Sequence, residues 1–493
     1  MKKILLFLAI ILGATSCDNY LDINSNPNSP SSANVSAEMI FPGVEMKLAA
    51  SYGDYLRIVG GYYAQQYAQT FGTSNYVDYS QFKMSAVRSS GTYTQLFFAL
   101  KNLETIREKS KAEEAWGTYL SATSLRVFIY QTLVDAYGEV PYSEGLDLGN
   151  LTPNYDGGLT IYNGILSELD EALSKATSGD VVAKNFLFGT QTAADWIKFS
   201  NALKLKLLMR ISDVKDVQAE LAALVSENNF PASDVAFSTC WADEAGKASP
   251  FYQEEYATYF GSTQINVVAN IAYMQTMLSK SDPRVPKFFS TNASGEFKGG
   301  VSGTNFSTST VYQSGYFCRP VFKYDMPVNL ISVSEIEFFL AEYQARYGTP
   351  TLAESHYKSA IEASFVSAGL TAADASATLA ANPWVNADYK QLIGIQKWIA
   401  LGGTNNFEAW CEMRRLKVPA FGTVKGEEIY DEVSATYTPT LYIPGTLYTP
   451  IKYNTELGSG KILQRFKYAE ASSNRNGNTP DNKGDATPVF WAE

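Results

Sequence analysis

The 493-residue chain is short of the residues on which much enzyme chemistry depends. Its one histidine, His356, argues against Ser-His-Asp hydrolases and against zinc or iron sites that need several histidines. The 39 Lys and Arg are outnumbered by 50 Asp and Glu, so the net charge of −11 leaves no basic excess for binding nucleic acid. We therefore expect no nucleic-acid partner.

Cysteine is scarce as well, with four in the chain. Cys240, Cys318 and Cys411 are widely spaced and form no CxxC pair, so the sequence predicts neither a disulfide framework nor a metal site from them. Each is expected to be a small buried apolar residue. No loop has the spacing of an EF-hand, and we expect neither a metal nor a cofactor.

Long apolar runs are missing except at the N-terminus. Two lysines precede an apolar run from Ile4 to Leu12, which is shorter than the ~20 residues needed to cross a bilayer. Small residues then lead directly into Cys17, as in a bacterial lipobox. The pattern predicts a signal peptide over residues 1–16, lipidation of Cys17 and an extended tether over 17–35. The alternative is an ordinary signal peptide with a coincidental cysteine.

From residue 36 onward, apolar residues recur with the period of a helix. Over Ala194–Ser212 they form one stripe, with lysines and an arginine off it. The other predicted helices include Tyr52–Thr70, Gln95–Lys109, Ala112–Tyr137, Thr160–Ala176, Ile265–Lys280, Val333–Tyr347, Leu352–Ala368, Lys390–Leu401 and Asn406–Arg415. The expected fold is all-α, in one domain over residues 36–493. Irregular insertions are expected at about 228–261 and 288–328, with few short strands.

Two of these helices match the tetratricopeptide pattern more closely. Leu340 and Ala341 fall at the Leu-Gly positions of the first helix, while Ala353, Tyr357 and Ala360 follow the spacing of the second. The small residues let two helices approach closely, and the tyrosine ring fills the space between them. The sequence therefore predicts tetratricopeptide-like helical hairpins as the scaffold.

Aromatic residues, by contrast, are abundant at 13% of the chain. A pyranose ring has an apolar face and a belt of hydroxyls, so it suits an aromatic platform flanked by amide, carboxylate or guanidinium groups. Aromatic residues on irregular segments are better candidates than those on helical stripes, because the latter pack the core. The candidate ligand contacts selected in this way are Tyr76, Tyr79, Trp241, Tyr252, Tyr256, Tyr312 and Tyr316.

Several longer segments resemble the SusD/RagB family of nutrient-binding outer-membrane lipoproteins, and in particular its second SusD-like type. They include LVDAYGEVPYSEGL at 133–146, DWIKFSNALKLKLLMRIS at 195–212, ISVSEIEFFLAEYQARYG at 331–348 and IGIQKWIALGGTNNFEAWCEMRRLKVPAF at 393–421. The resemblance begins at the lipobox cysteine and covers nearly the whole chain. The resemblance rests on the order and spacing of these segments more than on any single segment.

The resemblance implies a helical, tetratricopeptide-like protein without catalytic activity, anchored by lipid to the outer membrane and facing the cell exterior. Such proteins capture oligosaccharides, or in some systems peptides, as nutrients. They deliver this cargo to a SusC-like TonB-dependent transporter. The resemblance does not specify which glycan or peptide is bound.

Other functions stay open at this point. A surface glycoside hydrolase would use two carboxylates ~5–9 Å apart, and 50 acidic residues make some such pair unavoidable. A purely structural tetratricopeptide scaffold would explain the helices but not the aromatic-rich irregular segments. A phosphate-binding loop at Gly458 to Lys461 is rejected, because its first glycine is missing and Ile462 stands where Ser or Thr is required.

Overall fold

The computed structural model describes residues 36–69, 75–258, 265–304, 315–434 and 436–493, and its fold is mostly helical. The prediction of an all-α protein with few short strands is confirmed. The predicted signal peptide, the tether and Cys17 lie outside the described residues. Within the described ranges, no helix is both long enough and apolar enough to span a bilayer.

The chain alternates long helices with short strands. The helices are α1 Ala37–Ser51, α2 Arg57–Tyr63, α3 Val77–Ser80, α4 Ala86–Ala112, α5 Trp116–Tyr137, α6 Gly158–Lys175, α7 Ala194–Ile211, α8 Gln218–Glu227, α9 Pro250–Tyr252, α10 Ile271–Leu278, α11 Val285–Phe288, α12 Val333–Tyr347, α13 Pro350–Ser367, α14 Ser376–Ala381, α15 Tyr389–Gly402, α16 Asn406–Leu416, α17 Gly426–Ile429 and α18 Glu470–Arg475. Two π-helical segments are Tyr52–Leu56 and Gln253–Ala257. Short 3₁₀ helices are Ala372–Ala375, Asn386–Asp388, Pro439–Leu441 and Thr455–Leu457. The strands are β1 Tyr67–Gln69, β2 Val235–Phe237, β3 Val267–Ala269, β4 Val328–Ile331, β5 Phe421–Lys425, β6 Tyr430–Asp431, β7 Thr436–Tyr437 and β8 Leu447–Thr449.

Helices α12 and α13 form the predicted tetratricopeptide-like hairpin. Thr349 caps α13 with its side-chain oxygen, and a proline occupies the first turn. Ala341, Ala353 and Ala360 are fully buried, as their small size requires where two helices approach closely. Tyr357, also buried, fills the space between the helices. The spacing of small and aromatic residues thus predicted this pair correctly.

Helix α5 lies at the centre of the helical array. Its residues from Gly117 to Tyr137 are buried on every face, which is the pattern of a helix surrounded by other elements. Helices α4, α6 and α7 pack against it. The helix predicted over Ala112–Tyr137 starts later, at Trp116, because α4 extends to Ala112 and a turn separates the two helices.

The helix predicted over Tyr52–Thr70 is wrong in its extent. A π-helical turn opens this segment, α2 ends at Tyr63, and β1 follows. Gln65 has a φ of +49°, a left-handed conformation that interrupts the helix. A Cβ on Gly60 would lie 2.5 Å from the backbone of Phe407, so only glycine allows α2 to pack this closely against α16.

The described residues contain four two-stranded sheets, and two of them, β1–β3 and β2–β4, join segments that are far apart in sequence. Strands β1 and β3 are antiparallel, with Tyr67 opposite Ala269, and β2 pairs with β4 in the same sense. Strands β5 and β8 are parallel, and β6 and β7 are antiparallel. The β1–β3 pair holds the end of the first helical region beside the chain that follows the irregular stretch at 228–261.

Buried charges join three of the helices. Lys206 of α7 lies 3.0 Å from Glu335 and 2.8 Å from Glu408. Arg210, one helical turn further along, contacts Glu408 and lies 3.2 Å from Glu412. All five side chains are at most 4% exposed. Because a buried charge is costly without a partner, this network fixes α7 against α12 and α16.

Candidate ligand-binding site

The two π-helical segments place acidic side chains at the edge of the core. Asp54 lies on Tyr52–Leu56, and Glu254 and Glu255 lie on Gln253–Ala257. A π-turn adds one residue to a helix and redirects its side chains, and it occurs often at functional sites. Burial is the main cause that raises the pKa of Asp54 to about 8, and the nearby carboxyls of Glu254 and Glu255 raise it further.

Tyr76 connects the aromatic residues of this region to Glu255. Its backbone is left-handed, with a φ of +62°, directly before the short helix α3. Its hydroxyl donates a hydrogen bond of 2.5 Å to Glu255 Oε1. Glu255 is 2% exposed, and burial raises its pKa to about 7 although the bond from Tyr76 lowers it. The carboxyl of Glu255 is thus held in place on one oxygen.

A continuous series of aromatic rings runs beside these carboxyls, and we call it the aromatic ladder. Its members, in spatial order, are Tyr67, Phe251, Phe322, Tyr256 and Tyr252. Neighbouring ring centroids are 5.8, 5.2, 5.6 and 5.0 Å apart. The ladder starts in the buried strand β1 and ends at two partly exposed tyrosines, so its outer end offers aromatic faces to a ligand.

Two arginines lie against the ladder. The guanidinium of Arg57 is 4.5 Å from the ring centroid of Phe251, and that of Arg319 is 5.3 Å from the centroid of Phe322. Arg319 also donates a hydrogen bond of 3.4 Å to the backbone carbonyl of Glu255. Burial lowers the pKa of Arg319, while the charge of Glu255 opposes this shift. The arginines therefore join the ladder to the acidic segments.

Several buried polar atoms at this place have no hydrogen-bond partner within the described part of the chain. They are Asp54 Oδ1, Glu255 Oε2, Arg57 Nε and Arg319 Nε. Such atoms are rare in native proteins, because each costs about 1–3 kcal/mol when left unpaired. Two unpaired acceptors and two unpaired donors thus lie beside aromatic faces. This combination is expected of a site for a polar, hydroxyl-rich ligand.

Three of the predicted contact residues meet in this site. Tyr76 bonds to Glu255, while Tyr252 and Tyr256 form the outer end of the ladder. Tyr79 is 1% exposed and stacks behind Tyr76, with ring centroids 5.7 Å apart. The structure therefore gives Tyr79 a supporting position, and its direct contact with a ligand stays a prediction.

Trp241 and Tyr316 make contacts other than those of the ladder. Trp241 is partly buried against the core, and its indole N–H donates a hydrogen bond of 2.9 Å to the Phe237 carbonyl. Tyr316 belongs to a second aromatic group with Phe317 and Tyr437, and the Lys298 ammonium lies 4.1 Å from its ring centroid. Tyr312 lies outside the described residues. The roles of these three residues in binding stay predictions.

The charged members of the site were missed from the sequence. Asp54 and Arg57 lie in a segment whose apolar period predicted an ordinary helix, and Arg319 lies in a Gly- and Ser-rich stretch. The sequence signal for Asp54 and Arg57 is a carboxylate and a guanidinium three residues apart in an otherwise apolar segment. It is informative because burying a charged group without a partner costs free energy. Nothing in the local sequence distinguishes Glu255 from the adjacent Glu254.

A separate buried cluster has the composition of a metal site. Asp135, Glu408 and Cys411 bring their ligand atoms within 4.8 Å of one another, and this is the group of that kind found among the described residues. The guanidinium of Arg210 contacts Glu408 and lies 3.8 Å from Asp135. Arg210 thus already supplies the positive charge at this place, so the cluster belongs to the ion network of the core.

Two surface cavities lie away from the ladder. One, of about 520 Å³, is lined by Phe97, Phe98, Leu148 and Leu151 among others. The second, of about 380 Å³, is lined by residues of α16, β5 and the C-terminal segment, including Arg414. Among the described residues, none of the predicted contact residues lines either of these two cavities.

Comparison with known families decides where the chain belongs. The family model described as "Starch-binding associating with outer membrane", the second SusD-like model, matches residues 28–439. The chain belongs to the SusD-like family. This SusD-like protein thus falls in a family described by starch binding and by association with the outer membrane, as the sequence resemblance predicted.

Solved structures share the fold of this SusD-like protein. A chitin-binding protein superimposes with a TM-score of 0.72 at 21% identity, covering 93% of this chain and 99% of its own. A SusD homologue from Bacteroides uniformis gives 0.71 at 20% identity, with 92% and 99% covered. A SusD/RagB family protein from Bacteroides thetaiotaomicron gives 0.71 at 20% identity, with 93% and 99% covered. No functionally curated protein matches the sequence.

Proposed function

We propose that this protein captures oligosaccharides at the cell surface without cleaving them and delivers them to a SusC-like TonB-dependent transporter. The protein is held to the outer face of the outer membrane by acyl chains on Cys17. The observation that carries the proposal is the set of unpaired buried donors and acceptors beside the aromatic ladder.

A sugar satisfies both halves of this arrangement. Each hydroxyl group can donate a hydrogen bond to a carboxyl oxygen such as Glu255 Oε2 and accept one from a guanidinium N–H such as Arg319 Nε. The apolar face of a pyranose can stack on Tyr252 or Tyr256, whose rings are partly exposed and have few rotatable bonds to immobilise. In this site, polar groups orient the sugar and aromatic rings provide the contact area for it.

The relatives support a glycan over a peptide. The matching family is described by starch binding, and one protein of similar fold is named for chitin binding. Both ligands are polymers of pyranose rings. A peptide would use the same unpaired atoms through its backbone amides, and it is therefore the second class to test.

A surface glycoside hydrolase is less well supported. Both glycosidase mechanisms need one carboxyl group protonated as the acid and the other ionised as base or nucleophile. Here burial raises the pKa of Asp54 to about 8 and that of Glu255 to about 7, so the environment pushes both in the same direction. The pair thus lacks the division of protonation states that this chemistry uses.

Binding and cleavage can be measured together on a panel of malto-, cello- and chito-oligosaccharides and short peptides. We expect heat of binding from a glycan in titration calorimetry and no shorter product after prolonged incubation. Tyr256→Ala should weaken binding by about 1–3 kcal/mol, by analogy with base stacking on aromatic side chains. Tyr347→Ala, which removes a partly exposed tyrosine at the end of α12, is the matched control.

Each outcome bears on the proposal. Binding without product, weakened by Tyr256→Ala and unchanged by Tyr347→Ala, supports capture at the ladder. Release of shorter sugars that stops with Glu255→Gln would establish an enzyme instead. Binding of peptides with no glycan bound would refute the glycan proposal.

A further inference from the structure

The charges of the candidate site are unbalanced and unpaired. Three carboxyl groups, those of Asp54, Glu254 and Glu255, lie near one another, with the guanidinium group of Arg319 beside Glu255 and that of Arg57 against Phe251. None of the five takes part in an ion pair within the part of the chain that the structure describes. This differs from the core, where Lys206 and Arg210 each lie between carboxylates. When all three carboxyl groups are ionised, one of them is therefore left without a cation.

The two innermost carboxyl groups keep one oxygen each without a hydrogen-bond donor. These oxygens are Asp54 Oδ1 and Glu255 Oε2, both buried, and the side-chain amide of Asn266 lies close enough to the Glu255 carboxyl to lower its pKa. Glu255 is 98% buried, and its other oxygen is fixed by the hydroxyl of Tyr76. An ionised carboxylate in such a place needs a charged donor, since burying a lone charge is costly. A neutral sugar hydroxyl would leave these carboxyls protonated, whereas a bound cation would pair with their ionised forms.

Resting on the proposed capture of glycans, we propose that the cargo is an amino sugar, whose primary ammonium group is bound by Asp54 and Glu255. An ammonium group has three N–H donors and one positive charge, so it can serve both free oxygens and balance the excess carboxylate. The pyranose ring that carries it then stacks on the outer tyrosines of the ladder. The Nε–H groups of Arg57 and Arg319 donate to hydroxyl oxygens of the same oligosaccharide.

The protonation of the site follows from the groups around the two carboxyls. Asp54 faces Glu254, Glu255 and the hydroxyl of Tyr76, while Glu255 faces Tyr62, Tyr76, Glu254 and Arg319. Burial raises the pKa of both carboxyls, to about 8 and about 7, and at about pH 6 both are largely protonated without a ligand. A bound ammonium group favours their ionised forms. Binding of an amino sugar at this pH therefore releases protons.

The test compares two probes that differ in this group alone: the β-1,4-linked tetramer of glucosamine and that of N-acetylglucosamine. Calorimetric titrations are run at about pH 6, where the glucosamine amine is already charged, in two buffers of different ionisation enthalpy. We expect the glucosamine tetramer to bind about 10–100-fold more tightly, as a hydrogen bond to a charged group contributes about 1.5–3 kcal/mol. It should release about one proton or more, and the N-acetylated tetramer none.

Isosteric variants show whether these carboxyls are responsible. Glu255→Gln keeps an oxygen that accepts from Tyr76, and Asp54→Asn keeps the shape of its side chain. Each should remove most of the preference for the glucosamine tetramer and reduce proton release, with at most about a threefold change for the N-acetylated tetramer. Glu244→Gln, an exposed glutamate that pairs with Lys247 on the same irregular segment, is the matched control. Thermal unfolding of each variant checks that it is folded.

The outcomes separate this inference from the proposed function. Equal affinity for the two tetramers, or a preference that survives both substitutions, would overturn the amino-sugar inference. If N-acetylated or other neutral glycans bind at the ladder without proton release, capture of glycans stands and this inference fails. If no glycan binds, both fail. A short peptide that binds through its free N-terminus when the glucosamine tetramer does not would assign the ammonium group to a peptide and refute the amino sugar.

Discussion

Replacing Lys206 with methionine removes the cation at the centre of the buried ion network and leaves side-chain volume nearly unchanged. Lys206 lies 3.0 Å from Glu335 and 2.8 Å from Glu408, and all three side chains are at most 1% exposed. Glu408 keeps Arg210 as a partner after the substitution. Glu335 has no other ion pair within the described ranges, so it becomes an isolated buried carboxyl.

The expected loss is large. Breaking a buried pair by removing one partner costs about 3–5 kcal/mol, because a charge is left uncompensated in the interior. Lys204→Met provides the matched control on the same helix, since Lys204 pairs with the half-exposed Asp170. A surface pair of that kind contributes less than about 1 kcal/mol. Urea unfolding of both variants and of the parent protein measures the difference in the free energy of unfolding.

The loss should also depend on pH. The pKa of Glu335 is already raised, mainly by burial, and Lys206 is the principal group that opposes this shift. Without Lys206 its pKa rises further above the unfolded value of about 4.3. A group whose pKa is raised in the folded state stabilises the protein at low pH and loses that contribution as pH rises. The variant should therefore be closer to the parent at about pH 5 than at about pH 8.

A second substitution tests the cause. Adding Glu335→Gln to Lys206→Met removes the isolated charge, and we expect it to restore much of the lost stability and to flatten the pH dependence. If Lys206→Met lowers the free energy of unfolding no more than Lys204→Met does, or if Glu335→Gln restores none of it, then the ion network does not stabilise the packing of α7.

Two further predictions concern the N-terminus and the site. Cys17→Ser should abolish incorporation of radiolabelled fatty acid and release the protein from the membrane fraction, because stable anchoring needs acyl chains on that residue. The unliganded protein should lose stability as pH rises from about 5 to about 9. Burial raises the pKa of Glu255 to about 7 and those of Asp54 and Glu45 to about 8. Because these pKa values are raised in the folded state, the free energy of unfolding falls as the three groups ionise. Thermal unfolding across this range measures the effect.

Each of these has a clear contrary result. Fatty-acid labelling that persists in Cys17→Ser would place the acyl chains on another residue, and a parent protein that takes up no label would show that Cys17 carries none. A stability that is constant or rises between about pH 5 and 9, or a pH dependence unchanged by Glu255→Gln and Asp54→Asn together, would show that the two carboxyls of the site are ionised in the folded protein without a ligand.

The fold was predictable because its main signals are local. A stripe of apolar residues over Ala194–Ser212 predicted α7 almost to the residue, and small residues at Ala341, Ala353 and Ala360 predicted a close helical pair. The sequence predicted helix boundaries less accurately where the residues of a helix have low helix propensity. The first turns of α4 contain Ser, Gly and Thr, which favour helices poorly, so the predicted helix began at Gln95 instead of Ala86.

The site was predictable in part. Selecting aromatic residues outside the predicted helices singled out Tyr76, Tyr252 and Tyr256, which the structure places in one region although Tyr252 and Tyr256 lie on short helical segments. The same rule could not tell that Tyr79 would be buried behind Tyr76. Asp54 meets Glu255 only through the packing of two π-helical segments some 200 residues apart in sequence, and no local pattern carries that information.

The carboxylates around Lys206 and Arg210 come mainly from the other half of the chain. Lys206 and Arg210 come from the N-terminal half, while Glu335, Glu408 and Glu412 come from the C-terminal half. Without the C-terminal half, Lys206 has no carboxylate partner among the described residues, and Arg210 keeps only Asp135. Synthesis must therefore be nearly finished before the centre can close, so an amino-terminal fragment should expose this surface to chaperones and proteases until the remainder arrives.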